Sequence, residues 1–315
     1  MEDIMENIVE LQHVSKLYAG KTAVDDVSFN IPRGTVTAVL GPNGAGKTTV
    51  ISMMLGLREP SQGSVKIFGQ SPKDAQVKRR IGAMLQEVSV IDGLKVHEVM
   101  SMIRTYYPNP LKLSEMAELA GFTPEEMNQR ASKMSGGQKR RLGFALALAG
   151  DPDLLFFDEP TVGLDSTARR AFWQQARALA GRGKTILFST HYLEEAETTA
   201  DRILLFNKGK IAADGTPDEI VSKLTSRSVS FIADLKGDAS YGAGEINHRM
   251  RAIPGVHDCK EQDGRWIVTA DNTDSVLAAI FRHNIPARDI RTEQGRLDDA
   301  FELMIAGNEE KEAVS

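Results

Sequence analysis

Gly41–Thr49 reads GPNGAGKTT and follows directly on VTAVL, Val36–Leu40. The apolar run has the continuity expected of a strand covered on both faces. The glycine-rich string fits the pattern GxxxxGK[ST] at the point where such a strand would turn into a helix. Gly41, Gly44 and Gly46, with Pro42, Asn43 and Ala45 between them, permit tight turns that aim successive backbone N–H groups at one spot. A helix opening near Lys47 and running through Thr48 and Thr49 would add its positive end there. Such a cradle suits a nucleotide's phosphates. Lys47 would reach the β and γ phosphates, and the Thr48 hydroxyl would offer a ligand to Mg2+, a hard cation that keeps several of its waters.

Two more apolar runs share this design, Leu154–Phe157 (LLFF) and Ile186–Phe188 (ILF). Each ends in polar residues, Asp158 and Glu159 in one case and Ser189 to His191 in the other. In one parallel sheet these ends and the glycine loop would collect at the carboxyl edge, where ligands bind. Asp158 is then expected to hold Mg2+ through water, and Glu159 to orient and deprotonate the water that attacks the γ-phosphorus. A pair of carboxylates taken alone would equally fit a solvated acidic turn before Pro160.

The alternation of short apolar runs with helical patterns from Ile8 to about Leu224 predicts a layered α/β domain. Helical spacing from about Val96 to Arg130, interrupted at Pro108–Pro110, predicts a helical subdomain within it. After Ser226, Val229–Leu235, Val256–Glu261, Trp266–Ala270 and Ala287–Thr292 read as strands, and Gly244–Ala252 and Thr273–Arg282 as helices. That β-α-β-β-α-β order, with Asp263 and Gly264 as a hairpin turn, matches the split βαβ arrangement of ferredoxin-like α+β domains. A last helix is expected near Leu297–Ile305. The expected divisions are 8–226 for the main domain, 227–306 for the small one and 307–315 for a frayed tail.

Composition narrows the class. At 315 residues the chain exceeds a typical single domain, and a mean hydropathy of -0.26 speaks against an integral membrane protein. The longest apolar stretches, Leu142–Ala149 and Leu154–Phe157, fall far short of the roughly 20 residues that a membrane-crossing helix needs. MEDIMENIVE at the start does not read as a secretory or transit peptide. Cys259, the one cysteine, allows no internal disulfide and no cysteine-rich metal cluster. A net charge of -5 suits no general affinity for nucleic acid.

Met134–Gln138 reads MSGGQ and is followed by LLFFDEP at Leu154–Pro160. Together with the phosphate loop, these strings resemble the signature and Walker B segments of the ATP-binding cassette (ABC) superfamily. From about Ile8 to Leu224 the chain is similar to a whole ABC transporter nucleotide-binding domain, with the motifs in family order. The resemblance implies ATP and Mg2+ as cofactors. It makes Tyr18 the aromatic that stacks on adenine, and Gln86 the glutamine that senses Mg2+ and contacts a transmembrane partner. Gly163, Leu164 and Asp165 match the D-loop, and His191 the switch histidine at the γ-phosphate. Ser135, Gly136, Gly137 and Gln138 match the signature, which in the family faces the nucleotide of a second subunit. Met134 stands where the signature has Leu, a swap of similar volume. Lys139, Arg140 and Arg141 open the helix that follows, where the dipole disfavours cations; either an anion, a nucleotide phosphate of the facing subunit or nearby carboxylates, offsets them, or their side chains point away into solvent.

With one cassette and no expected membrane span, the resemblance implies two copies that close on ATP and drive a separate integral-membrane permease, from the cytoplasmic face of the membrane. FSTHYLEEAETTADRILLFNKGKIAADGTP and the C-terminal GRLDDAFELMIAG resemble drug, antibiotic and sodium exporters of the daunorubicin-resistance type. Two other classes compete: a soluble ABC ATPase acting on DNA or ribosomes, and a scaffold that binds ATP only to dimerise. A single cassette and a single cysteine disfavour the first. Glu159 and His191 disfavour the second.

Overall fold

The structure is a computed structural model and describes residues 6–86, 93–224, 227–233 and 243–293. Its contacts divide the chain into two compact units, Met1–Pro217 and Asp218–Ser315.

The first unit runs β1 (Asn7–Tyr18), β2 (Lys21–Pro32), β3 (Val36–Leu40), α1 (Lys47–Met54), β4 (Gln62–Ile67), α2 (Ala75–Lys78) and β5 (Ile81–Met84). Then come α3 (Val96–Arg104), α4 (Leu113–Leu119), α5 (Pro124–Met127), a 3-10 turn at Ala131–Lys133 and α6 (Gly136–Ala147). It closes with β6 (Leu154–Asp158), α7 (Ser166–Ala180), β7 (Thr185–Thr190), α8 (Leu193–Thr199), β8 (Arg202–Asn207) and β9 (Lys210–Gly215).

Six of these strands form one sheet in the order β5-β6-β7-β3-β8-β9. All its pairs are parallel except β8 with β9. The three strands singled out by their apolar runs, β6, β7 and β3, are therefore side by side and point the same way. In register, Asp158 lies beside Ser189 and Leu40 beside Thr190, so their polar ends meet at one edge.

Every residue of these three strands is buried, because each face of the sheet has its own cover. Successive side chains point to opposite faces. Phe156 and Leu187 join α1 residues Val50, Ile51, Met53 and Met54 and the inner side of β1 and β2 in one core. Phe157 and Phe188 lie within an aromatic stack with Phe144 of α6 and Phe172 and Trp173 of α7, at centroid distances of 4.4–5.7 Å.

A second, antiparallel sheet, β2-β1-β4, caps the α1 side. The sequence reading did not separate it. The burial of β1 alternates only in part because register shifts interrupt its pairing after Asn7 and Leu11. The β1–β2 turn is two residues long, Ala19 (φ 43°) and Gly20 (φ 86°), and sets Lys21 opposite Tyr18.

From α9 (Pro217–Leu224), which begins at the division, the second unit continues through β10 (Arg227–Ala233), α10 (Ala243–Arg251), β11 (Val256–Gln262), β12 (Arg265–Ala270), α11 (Thr273–Arg282) and β13 (Ala287–Glu293). Its strands pair antiparallel in the order β11-β12-β10-β13. Its core holds Val229, Phe231, Ile246, Trp266, Val268 and Ile280. Cys259 is buried in that core, and burial pushes its thiol up to about 11, so it stays protonated. Asp263 and Gly264, at φ 51° and 76°, form the expected hairpin turn. The helix expected near Leu297–Ile305 and the tail lie outside the described residues.

Candidate functional site

Between β3 and α1 the chain's own packing demands glycine at two points. A Cβ on Gly41 would collide with the Phe206 backbone carbonyl. Gly46 sits at φ 106°, and a Cβ there would lie 2.6 Å from the Ala23 carbonyl oxygen. Gly46 is also the N-cap of α1 and brings no side chain to the helix's first N–H groups, which leaves them to an external acceptor. Lys47 is 5% exposed, and its Nζ donates to the carbonyl oxygens of Gly41 (2.7 Å) and Pro42 (3.1 Å). Burial lowers its pKa, an effect opposed by the nearby charges of Glu159 and Asp158.

Asp158 ends β6 and is 2% exposed. Burial raises its pKa, with Glu159 adding to the rise, while hydrogen bonds from Ser189 and Thr48 and the charge of Lys47 oppose it. Ser189 Oγ donates to Asp158 Oδ1 at 2.5 Å, and Thr48 Oγ1 lies 3.5 Å from the same oxygen. A divalent cation at Thr48 and Asp158 would offset the buried negative charge, so the donor set fits Mg2+. Among the described residues no group of three or more His, Cys, Asp and Glu is arranged to hold a metal.

Glu159 adopts φ 46°, a left-handed conformation that costs a non-glycine residue on the order of 1 kcal/mol. Its N–H is held by Ser189, through the carbonyl oxygen (3.2 Å) and Oγ (3.0 Å). The carboxylate faces two polar partners: His191 Nδ1 is 3.4 Å from Oε1, and Gln86 Nε2 is 3.5 Å from Oε2. Strand ends from β5, β6 and β7 thus converge on one carboxylate. Sequence reasoning placed Ser189 at this edge but gave it no role of its own; its bonds to Asp158 and Glu159 follow only once β6 and β7 are known to be neighbours.

A cavity of about 470 Å³ lies over the loop. Tyr18, Asn43 to Thr49, Gln86, Glu159 and His191 line it, all expected from sequence, and so do Lys21, Thr22 and Ala23, which were not. The three extra residues arrive through the β1–β2 turn. Gly41, Pro42 and Asp158 stand behind the lining, in the bonds described above.

The signature residues are elsewhere. Ser135, Gly137 and Gln138 line a separate cavity of about 410 Å³ with Leu164 and Phe172. Ser135 is the N-cap of α6: its Oγ accepts from the Gln138 N–H at 3.2 Å, and Gln138 Oε1 accepts from the Ser135 N–H at 2.9 Å. Asp165 caps α7 by accepting from the Ala168 N–H at 2.8 Å. A Cβ on Gly136 would meet nothing within 4 Å, and one on Gly137 only Leu164 Cδ2 at 3.6 Å. Neither glycine is required by the chain's own packing.

Of the cations opening α6, Arg141 finds a carboxylate. Its Nη2 donates to Glu126 Oε1 at 2.5 Å, and Gln138 Nε2 donates to the same oxygen at 3.0 Å. Burial pushes the Glu126 carboxyl up, but hydrogen bonds from Arg141, Gln138 and Thr123 outweigh it and hold the group at about 2, against an ordinary 4.5. A carboxyl lowered in the folded state stabilises above its unfolded value, and that stability is lost as pH falls from about 4.5 towards about 2. Allowing for solvent screening of a partly exposed pair, Glu126→Gln is expected to lower unfolding free energy at pH 7 by about 1–3 kcal/mol. Denaturant unfolding across that pH window checks it: the variant's stability should fall less steeply than the parent's, and parallel curves would contradict the assignment.

A model of the ABC transporter family matches residues 24–162. Nod factor export ATP-binding protein I of Paraburkholderia xenovorans (strain LB400) is 38% identical over 227 residues, spanning 69% of this chain and 73% of that protein. The chain belongs to the ABC transporter family. Daunorubicin/doxorubicin resistance ATP-binding protein DrrA of Streptomyces peucetius is 34% identical to this ABC chain over 310 residues, 95% of it and 92% of the relative. Among solved structures, an ATP-binding subunit of an ABC transporter superposes with a TM-score of 0.63 at 27% identity, covering 69% of this chain and 92% of the other. A dimeric ATP-binding cassette in a post-hydrolysis state with ADP and Pi superposes with a TM-score of 0.62 at 26% identity, covering 66% and 98%. The ABC fold and ATPase class expected from the motifs are those found. No described helix of this ABC subunit is long and apolar enough to cross a membrane.

Proposed function

We propose that the chain is the ATP-hydrolysing subunit of an exporter for a drug, antibiotic or other small molecule, working as a pair beneath a separate membrane permease. The observation that carries this is the separation of two half-sites. The phosphate loop, Gln86, Glu159 and His191 share one cavity, whereas Ser135, Gly137 and Gln138 line another. Gly136 and Gly137, unconstrained from within, leave backbone N–H groups open to the nucleotide of a second copy, and the dimeric state of a related cassette supports that assembly.

Within one copy, the loop from Gly41 to Thr49 and Lys47 would hold the ATP phosphates, with Tyr18 stacked on the base. Thr48, Asp158 and Gln86 would hold Mg2+, which when bound neutralises charge on the β and γ phosphates. Glu159 would position the attacking water and take its proton, and His191 would contact the γ-phosphate. From the partner copy, Ser135, Gly136, Gly137 and Gln138 would complete the site, with Asp165 at the junction.

We read the second unit as a ferredoxin-like domain occupying about 227–306. Its element order and the sheet order β11-β12-β10-β13 support this. Export as the direction is supported by the names of the Nod factor and daunorubicin/doxorubicin relatives.

Tagging the chain in its own host, solubilising the membranes and identifying what accompanies it tests the transport reading. The expected companion is an integral-membrane protein with about six apolar spans. Recovery of the ATPase from the soluble fraction alone, active and without such a companion, would instead favour an ABC ATPase that works away from membranes.

A further inference from the structure

We propose that Glu195 is a positioning residue for ATP hydrolysis, its buried carboxylate clasping together the two loops that carry Glu159 and His191. Glu195 lies on α8 and is 3% exposed. Its Oε1 accepts from Thr161 Oγ1 at 2.5 Å, and its Oε2 from Thr190 Oγ1 at 2.8 Å. Thr161 and Thr190 are themselves buried, at 1% and 2% exposure. Thr161 follows Glu159 by two residues on the loop after β6, and Thr190 is the last residue of β7, immediately before His191. One carboxylate therefore holds the Glu159 loop by one oxygen and the end of β7, next to His191, by the other.

Two further contacts extend the clasp. Arg169 of α7 brings Nε to 3.4 Å from Glu195 Oε1 and lies 4.5 Å from the centroid of the Tyr192 ring, next to His191. Thr190 Oγ1 also accepts from the Tyr192 N–H at 3.0 Å. A buried carboxylate is costly unless it is paired and hydrogen-bonded. An apolar side chain could fill this space without that cost. What the carboxylate adds is direction: two charge-assisted hydrogen bonds that fix one loop against the other. The distance at stake is the 3.4 Å between His191 Nδ1 and Glu159 Oε1, and a shift of about 1 Å in such a constellation is worth about 100-fold in rate. Sequence patterning hides Glu195 among Glu194 and Glu197 on a short helix, where all three look like solvated acids.

The proposal rests on Glu159 and His191 acting at the γ-phosphate. The test measures ATP turnover by the full-length chain together with binding of a fluorescent ATP analogue, for Glu195→Gln, Thr161→Val, Thr161→Ser and Glu159→Gln. Thr161→Val keeps the side chain's shape and removes one hydroxyl of the clasp; Thr161→Ser keeps the hydroxyl. Glu195→Gln and Thr161→Val are expected to lower kcat by about 10- to 100-fold. KM and analogue affinity should stay within about threefold, and Thr161→Ser should restore kcat to within about twofold of the parent. Unchanged kcat with only a lowered Tm would overturn the proposal and leave the clasp a fold contact. Affinity falling in step with kcat would overturn it as well, because the pocket itself would have collapsed. Turnover retained in Glu159→Gln would instead remove the reading beneath the proposal, a failure visible independently of Glu195.

Discussion

Glutamine in place of Glu159 is expected to leave ATP bound and to stop its hydrolysis, lowering kcat by about 10²- to 10⁴-fold, the range of a lost general base. That is about 3–5 kcal/mol of barrier. The change is nearly isosteric, and the N–H bonds to Ser189 that hold the left-handed backbone do not involve the side chain. Glutamine can keep contacts to Gln86 and His191, so the strand ends stay together while the proton acceptor is gone. Nucleotide affinity should stay within a few fold, since Lys47 and the loop N–H groups are untouched. Phosphate release at saturating Mg-ATP, beside equilibrium binding, measures both. Unimpaired turnover would remove Glu159 as the base.

Removing Lys47 should act on binding instead. Its Nζ is held by two carbonyl oxygens of its own loop, and its charge opposes those of Asp158 and Glu159 behind the phosphate position. Lys47→Ala takes away the charge that would meet the phosphates and leaves the buried Asp158 and the partly buried Glu159 facing an anion. A truncated buried charge partner costs about 2–5 kcal/mol, so ATP affinity should fall by about 30-fold to several-thousand-fold. Titration calorimetry of the full chain reads this directly. An affinity within threefold of the parent would mean that the phosphates bind elsewhere.

The part of the site most legible in the sequence is the part built at strand ends. β3, β6 and β7 must be apolar on both faces, so their ends stand out as abrupt switches to glycine, acid or hydroxyl residues, and parallel pairing brings those switches together. Lys21, Thr22 and Ala23 were not legible because they reach the cavity through a hairpin whose strands carry an interrupted alternation. Glu195 and Glu126 were not legible for a different reason. Each acts through a partner far off in sequence, such as Thr161 for Glu195 and Arg141 for Glu126, and nothing local distinguishes them from surface polar residues. The elements of the second unit were legible from alternation and the Asp263–Gly264 turn, whereas the division at Pro217 has no composition shift to mark it.

Mixing two inactive variants tests the central claim, that a site is shared between copies, most directly. Lys47→Ala lacks a phosphate cradle but keeps its signature segment, and Ser135→Arg lacks a usable signature but keeps its cradle. A mixed pair then contains one complete site, formed by the cradle of one copy and the signature of the other, and one site doubly damaged. ATP turnover should be near zero for each variant alone and return to a substantial fraction of the parent rate on mixing, rising with the proportion of mixed pairs. No recovery at any ratio, with both variants folded and the Ser135→Arg chain still binding ATP, would contradict the shared site and confine hydrolysis to a single chain.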